Sequence, residues 1–418
     1  MNFKNLDYLI LDNGLKCILY RRNSIPIVNI TIAFKVGSKD EEVNKKGIAH
    51  LFEHLMYEGS KNLAKGDYDK ICSAIGGSNN AYTSFDITSY YITIPSSQLE
   101  VGLWLEAERL FNFEINKESL ENQKNVVIEE INQTVYDQPY GLARDKIAEL
   151  AYSSQCPYSW DVHGSIQTVA SITLEDIYEF KNKYYIPTNA VMIISGHFKV
   201  NDVKNLIIKY FNKNFNDIAP KRNKVYKKDF KYSGQTFFKD EVPFEATFLA
   251  YHCEGFVKNY FNSSDLISVI LGGGKSSRIY KNLIDNLNIA SQAGCYIDKK
   301  AYDSLIIFYA FSNNRKINSG TLAERIYEQI ENLVEKNPRD EEILKAKNIV
   351  KINLFDDLSN LIELSDILAV YTLFYNNPYK LFDYKSEIDN LTSDLILRDI
   401  KKIFRNKEGI RVDAKLSK

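Results

Sequence analysis

"HLFEHLMYEG", residues 50 to 59, holds two of the five histidines in a chain of 418 residues. His50 and His54 stand four apart, with Glu53 between them. The apolar neighbours set the local structure. Ile48, Leu51, Phe52, Leu55 and Met56 fall at i, i+3, i+4, i+7 and i+8, the stripe of an amphipathic helix. His50, Glu53, His54 and Tyr57 repeat that spacing two positions out of phase. At about 100° per residue they lie on nearly the opposite face. A solvated face carries Lys and Glu; this one carries groups that bind metal or move protons. Neutral imidazoles at i and i+4 can reach one Zn2+ as two of its tetrahedral ligands. Glu53 then lies beside the metal and not on it, where a general base for water belongs. An isolated HxxxH is more often a solvated or hydrogen-bonded pair. Glu53 shifts that balance, because H-x-x-E-H is the inverted form of the zinc-peptidase motif.

A tetrahedral catalytic site needs a third protein ligand. The candidate lies in "ENQKNVVIEEINQTVYDQ", residues 121 to 138, which reads as a helix with Val126, Val127 and Ile131 among its apolar positions. Glu130 follows Val127 by three and Val126 by four, so it leans toward the buried face. Glu129 leans toward solvent. A carboxylate on the buried side is costly unless it is paired or bound to metal. The alternative for Glu130 is an ordinary salt-bridged helix carboxylate.

HxxEH followed 76 residues later by a glutamate (130 − 54 = 76) resembles the pitrilysin family of zinc metallopeptidases, which includes insulin-degrading enzyme and mitochondrial processing peptidase. The resemblance runs along nearly the whole chain. "LDNGLKCILYRRNSIPIVNITIAFKVGSKDE" is similar to the family's opening strands, and "GGSNNAYTSFDITSYYITIP" to its substrate-side strand pair. "YYIPTNAVMIISG" resembles the end of its first half, and "LGGGKSSRIYKNLI" a signature of its second. The resemblance implies that His50, His54 and Glu130 bind one Zn2+ per chain and that Glu53 is the catalytic base. It implies peptide binding along an edge strand at Asn80 and Ala81; from the residues alone, "SNNAYTS" and "DITSYYITI" are equally a polar hairpin.

Two departures stand out. Many family members carry a second glutamate seven residues before the metal glutamate. Here that position is Gln123, which can orient a ligand or water but adds no charge. Active members commonly carry an Arg and a Tyr seven apart in the second half, which hold substrate backbone near the metal. Those positions are Ile284 and Ser291 here.

The chain also repeats. "ITLEDIYEFKNKYYIPTNAVMIISG" from 172 has a counterpart in "LTSDLILRDIKKIFRNKEGIRVDAK" from 391: a cap-like Thr and Asp, an amphipathic helix, a strand. "YDKICSAIGGSNNAYTSFDITSYYITIP" is echoed by "IYKNLIDNLNIASQAGCYIDKKAYDSLIIFYAF". A period of roughly 200 residues suits two domains of one fold, not a solenoid. We expect a metal-bearing catalytic half over 1–215, a charged linker over 216–229, and a homologous second half over 230–418. In that second half "SDLISVILGGG" takes the place of the metal helix without His or Glu. The fold class expected is α+β. The family resemblance supplies the rest: each half a mainly antiparallel sheet with helices packed on one face, the two enclosing a chamber.

Bulk properties agree. With 44% hydrophobic residues there is material for sizeable cores, and a net charge of −1 with interspersed signs leaves no nucleic-acid footprint. The longest apolar stretch, "LIELSDILAVYTLFY" from 361, is interrupted by Glu363 and Asp366, so it reads as a buried helix and not a membrane span. Five cysteines without metal spacing suit reduced, mostly buried thiols. "GGGKSS", 272 to 277, lacks phosphate-loop spacing, and His163, His197 and His252 read as structural. The opening "MNFKNLDYLILDNG" is strand-like, not a signal peptide, so the expected compartment is the cytoplasm, or the periplasm if a leader has been removed.

These readings converge on a zinc-dependent endopeptidase for unfolded peptides. The absent Arg and Tyr point to a homologous subunit that lacks HxxEH but carries that pair, making a heterodimer. The alternative is a non-catalytic or assembly subunit that keeps a structural zinc site.

Overall fold

The computed structural model describes residues 3–214, 220 and 225–417. Two sheets organise the chain. The first contains β1 (Leu6–Ile10), β2 (Lys16–Arg21), β3 (Ile27–Phe34), β4 (Ser78–Thr83), β5 (Thr88–Pro95) and β6 (Ala190–Gly196), in the order β1-β2-β6-β3-β5-β4. The second contains β7 (Gly234–Asp240), β8 (Ala246–Glu254), β9 (Ala290–Asp298), β10 (Asp303–Ser312) and β11 (Ile410–Leu416), in the order β7-β11-β8-β10-β9. Apart from β1, the orders are the same. Even the parallel pair recurs, β2 with β6 and β7 with β11, while the other pairs are antiparallel. The protein is α+β, built of two homologous halves.

The repeat noted in the sequence is realised at its caps. Thr173 caps helix Leu174–Tyr184 by accepting from the Asp176 amide at 3.2 Å, and Thr392 caps helix Ser393–Ile403 by accepting from the Leu395 amide at 3.3 Å. Each helix leads into an interior strand of its sheet, β6 or β11.

The chain divides into two compact units that are discontinuous in sequence. One comprises Met1–Glu130, Val162–Asn223 and Asp356–Asp383; the other comprises Ile131–Asp161, Lys224–Phe355 and Tyr384–Lys418. This differs from a cut between 215 and 230. Of the expected linker, residues 216–219 and 221–224 lie outside the described residues.

Within the first unit, the apolar helix Leu361–Tyr375 packs on β3 and β6. It covers the sheet face opposite to the main helix layer. Its Ser365 hydroxyl meets Asn29 Nδ2 at 3.2 Å and Ser195 Oγ at 3.0 Å, while Thr93 Oγ1 donates to Asn29 Oδ1 at 3.0 Å. These polar groups are buried but mutually satisfied, so the layer costs little and fixes the helix in register. The expectation of helices on one face thus gains a second, thinner layer. β6 is buried along its whole length for this reason. In the second unit, helix Ala143–Ala151 packs on β7, β8 and β11 in the same manner. Among the described residues no helix is long and apolar enough to cross a membrane.

Candidate metal centre

Four helices of the first half frame the site: α1 (Ile48–Leu55), α2 (Asp67–Ala74), α3 (Leu99–Phe111) and α4 (Lys117–Ile131). The apolar stripe of α1 is buried as the periodicity predicts. Ile48, Leu51, Phe52, Leu55 and Met56 are all in the core, and the Phe52 ring lies 4.2 Å from that of Tyr185 and 5.1 Å from that of Phe113, centroid to centroid. Burying that face turns His50 and His54 the other way.

The N-terminus of α1 is held by a buried carboxylate. Glu41 accepts from the Gly47 amide at 3.0 Å and the Ala49 amide at 2.9 Å, satisfying donors that a helix leaves open and matching its dipole. Gly47 enters the helix at φ 90°, and a Cβ there would lie 2.6 Å from the His163 carbonyl oxygen, so glycine is required twice over.

His50 Nε2 and His54 Nε2 converge on one oxygen of Glu130, at 3.4 and 3.5 Å. One ligand atom from each of the three residues falls within 4.8 Å of the others. Such distances are long for hydrogen bonds. They are the spacing a cation demands: bonds of about 2.0–2.2 Å in a tetrahedron set ligand atoms about 3.3–3.5 Å apart. Two imidazoles and a carboxylate, with room for a fourth ligand, are the donor set of a catalytic zinc, and these residues fit it.

Local electrostatics follow. Burial disfavours the charged His50 ring, but the carboxylates of Glu130 and Glu53 outweigh it and raise its pKa to about 9. Hydrogen bonds from His50 and His54 hold the Glu130 carboxyl well below the usual carboxylate range. A cation in the site would take the place of the proton that the neighbouring carboxylates favour on His50.

Glu130 itself departs from expectation. Val127 and Ile131 are buried, but Val126, expected on the same face, is 48% exposed, and the Glu130 side chain is 44% exposed. It stands at the rim of α4 and reaches the histidines from there. The regular helix ends at Ile131, and a π-helical turn over Asn132–Tyr136 follows.

Glu53 is nearly buried beside the histidines and off the donor set. Its Oε2 accepts from Thr83 Oγ1 at 2.5 Å and lies 3.6 Å from His50 Nδ1, the ring nitrogen turned away from Glu130. Gln123 does not reach the ligands with its amide nitrogen; that group donates to Glu58 at 2.7 Å, and Glu58 is also paired with Lys65. Asn80 and Ala81 lie on β4, the terminal strand of the first sheet, paired through the register Asn80↔Tyr91 and Ala81↔Tyr90. In the second unit Ser291 is exposed on β9, with its hydroxyl on the Phe311 and Ser312 carbonyls.

Three supporting residues had no signal in the sequence: Glu41, Thr83 and Arg109. Arg109 on α3 is buried, ion-paired with Glu106, and its guanidinium lies 5.0, 4.8 and 4.7 Å from the rings of Tyr57, Tyr68 and Tyr90. It thereby clamps the end of α1 against α2 and β5.

Comparison with known proteins gives the family. The family described as Insulinase (Peptidase family M16) matches residues 17–157, and that described as Peptidase M16 inactive domain matches residues 171–350. The zinc protease PqqE of Helicobacter pylori is 31% identical over 414 residues, which span 97% of this chain and 91% of that protein. The chain belongs to the M16, or pitrilysin, peptidase family. The crystal structure of a protease from Helicobacter pylori superposes with a TM-score of 0.90 at 28% identity, covering 98% of this chain and 99% of that one. The periplasmic protease PqqL from Escherichia coli shares the fold, with a TM-score of 0.80 at 18% identity; 99% of the M16 chain described here matches only 48% of PqqL. Several further bacterial relatives are named zinc proteases.

Proposed function

We propose that this M16 chain is a zinc-dependent endopeptidase acting on unfolded peptides, and the metal-bearing subunit of a heterodimer. The observation that carries the reading is the convergence of His50, His54 and Glu130 at zinc-ligand spacing. One Zn2+ held by these three supplies, when bound, a Lewis acid that acidifies water and polarises a carbonyl. Glu53 is the base. Thr83 occupies one of its carboxylate oxygens, and the other accepts the proton of the attacking water and passes it to the leaving amine. An extended peptide lies along the outer edge of β4, pairing main chain to main chain beside Asn80 and Ala81. Recognition of that kind selects an unfolded backbone more than particular side chains. Gln123 acts through Glu58, steadying the loop after α1.

Ile284 and Ser291 offer no group to hold substrate backbone as charge develops on the carbonyl oxygen. That deficit supports a homologous partner bearing Arg and Tyr. It equally favours the second reading, a non-catalytic or assembly subunit with a structural zinc.

A quenched-peptide assay with metal analysis separates them. The expected result is one zinc per chain and hydrolysis once the partner is present. Glu53→Gln should keep zinc while turnover falls at least ~100-fold, the scale of a lost general base. Zinc without cleavage under any partner condition leaves the structural role. Zinc loss in Glu53→Gln makes Glu53 a ligand.

A further inference from the structure

The base and the peptide-docking strand are joined by one hydrogen bond, from Thr83 Oγ1 to Glu53 Oε2 at 2.5 Å. Among the described residues this is the hydrogen bond the Glu53 carboxylate makes; His50 Nδ1, at 3.6 Å from the same oxygen, lies beyond hydrogen-bond range. Thr83 is the last residue of β4, directly opposite Thr88 in the register with β5.

The hairpin behind it is locked. Ser84 N donates to the Ile87 carbonyl at 2.8 Å, and Ser84 Oγ accepts from the Ile87 amide at 3.0 Å. The turn is docked as well: Ser84 O accepts from Ser38 N at 3.2 Å, and Phe85 O from Lys39 N at 3.0 Å. Thr88 Oγ1 donates to Val36 O at 3.0 Å. This same 36–41 segment ends in Glu41, the cap of α1. The strand carrying Thr83 and the helix carrying Glu53 therefore share one frame.

We propose that Thr83 is the positioning residue of the catalytic base, and that peptide docking on β4 and proton transfer by Glu53 are coupled through it. The inference rests on the peptidase reading above. A glutamate has three side-chain torsions, the last of them broad, so an unpartnered carboxylate samples many orientations. Thr83 is β-branched on a strand end, and its own side chain has little freedom. Its hydroxyl fixes Oε2 and leaves Oε1 free toward the substrate. Without that hydroxyl, His50 Nδ1, 3.6 Å from Oε2, can capture the carboxylate, which would take the base out of use.

Thr83→Val keeps shape and branching, and Thr83→Ser keeps the hydroxyl. The test measures kcat, KM and zinc content of both with a quenched peptide, under conditions where wild type is active, and determines the crystal structure of Thr83→Val. The expected result is a kcat about 10- to 100-fold lower in Thr83→Val, the scale of a hydrogen bond to a charged group, with zinc content and KM unchanged. Thr83→Ser recovers most of the rate, and in Thr83→Val the Glu53 carboxylate has turned away from β4. Wild-type kcat in Thr83→Val overturns the proposal while leaving the peptidase reading intact, provided Glu53→Gln remains inactive. So does a Thr83→Ser variant as slow as Thr83→Val, since the loss is then packing and not the hydroxyl. Absence of hydrolysis by wild type with its partner overturns the peptidase reading itself, and this proposal with it.

Discussion

His50, His54 and Glu130 come from two helices and meet at one point, so each should matter to metal retention in its own right. His50→Ala, His54→Ala and Glu130→Gln should each cut zinc occupancy sharply by elemental analysis after dialysis. Normal retention in Glu130→Gln would remove it from the ligand set and bring Glu129 forward. A different residue sets a pH dependence of stability. Burial pushes the Asp366 carboxyl up, to about 7, although hydrogen bonds from Ser89 and Tyr82 oppose the shift; the Glu363 charge adds to it. In the unfolded chain the same carboxyl titrates near the ordinary 3.8. Between these values the unfolded form releases a proton that the folded form keeps. Stability from this group is therefore full below pH 4 and lost as pH rises through about 7. Asp366→Asn removes the charge and should be more stable than wild type at pH 8, by up to about 4 kcal/mol, and by only about 1 kcal/mol at pH 4.5. Melting curves across that range check it; a difference that does not grow with pH would refute the assignment.

At the scale of elements, the decisive unit is α1 with its cap and the hairpin docked beside it. An eight-residue helix has little stability of its own, so tertiary contacts must hold its ends. Glu41→Ala leaves two amide groups near the buried helix start without their acceptor. We expect a loss of about 2–3 kcal/mol and faster zinc release to a chelator, because His50 lies in the capped first turn and His54 one turn further on. Unchanged melting and zinc release in Glu41→Ala would show that the cap does not govern the site. Gly37 supports the same frame from the other side. A Cβ there would sit 2.2 Å from the Ser84 carbonyl oxygen and 2.6 Å from that of Phe85, both backbone atoms that cannot swing aside. Gly37→Ala should therefore displace the turn, lower the melting temperature and reduce peptidase rate more than zinc content. Wild-type kinetics in that variant would mean the turn can move without consequence.

The whole molecule is two homologous units, each completed by a segment from the other half of the sequence. Without helix Leu361–Tyr375, the first sheet would expose Val191 and Ile193 beside Asn29 and Thr31, whose polar neighbours would be stripped of partners. A fragment ending at residue 215 should thus fail to melt cooperatively, and the full chain should. A sharp transition in the fragment would show that the first unit folds without its late helix. Assembly is the other prediction at this scale. Ile284 and Ser291, in place of a backbone clamp, are the ground on which a second, homologous chain is proposed. Peptidase activity should be low for the isolated chain and rise when a homologue with the Arg-Tyr pair is added, with a 1:1 complex by light scattering. Full activity from the isolated chain, unchanged by the partner, rules the heterodimer out.

What the sequence determined by itself is local or periodic. The stripe of α1 dictates which face is buried and therefore that His50, Glu53 and His54 share the other. The alternation in "SNNAYTS" and "DITSYYITI" dictates a hairpin, and the caps at Thr173 and Thr392 dictate where two equivalent helices begin. Helix periodicity puts Glu130 on the buried side of its helix and the family resemblance implies its role as a ligand; its partial exposure shows that periodicity alone does not place it. Only the tertiary structure decided which distant groups support these elements. Glu41, Thr83 and Arg109 are unremarked polar residues along the chain, and each acquires its role from a partner in another segment. The helix at 361 is apolar enough to be buried, but nothing local says against which sheet. Periodicity reports the environment a segment needs; the long-range pairing of strands decides which other segment provides it.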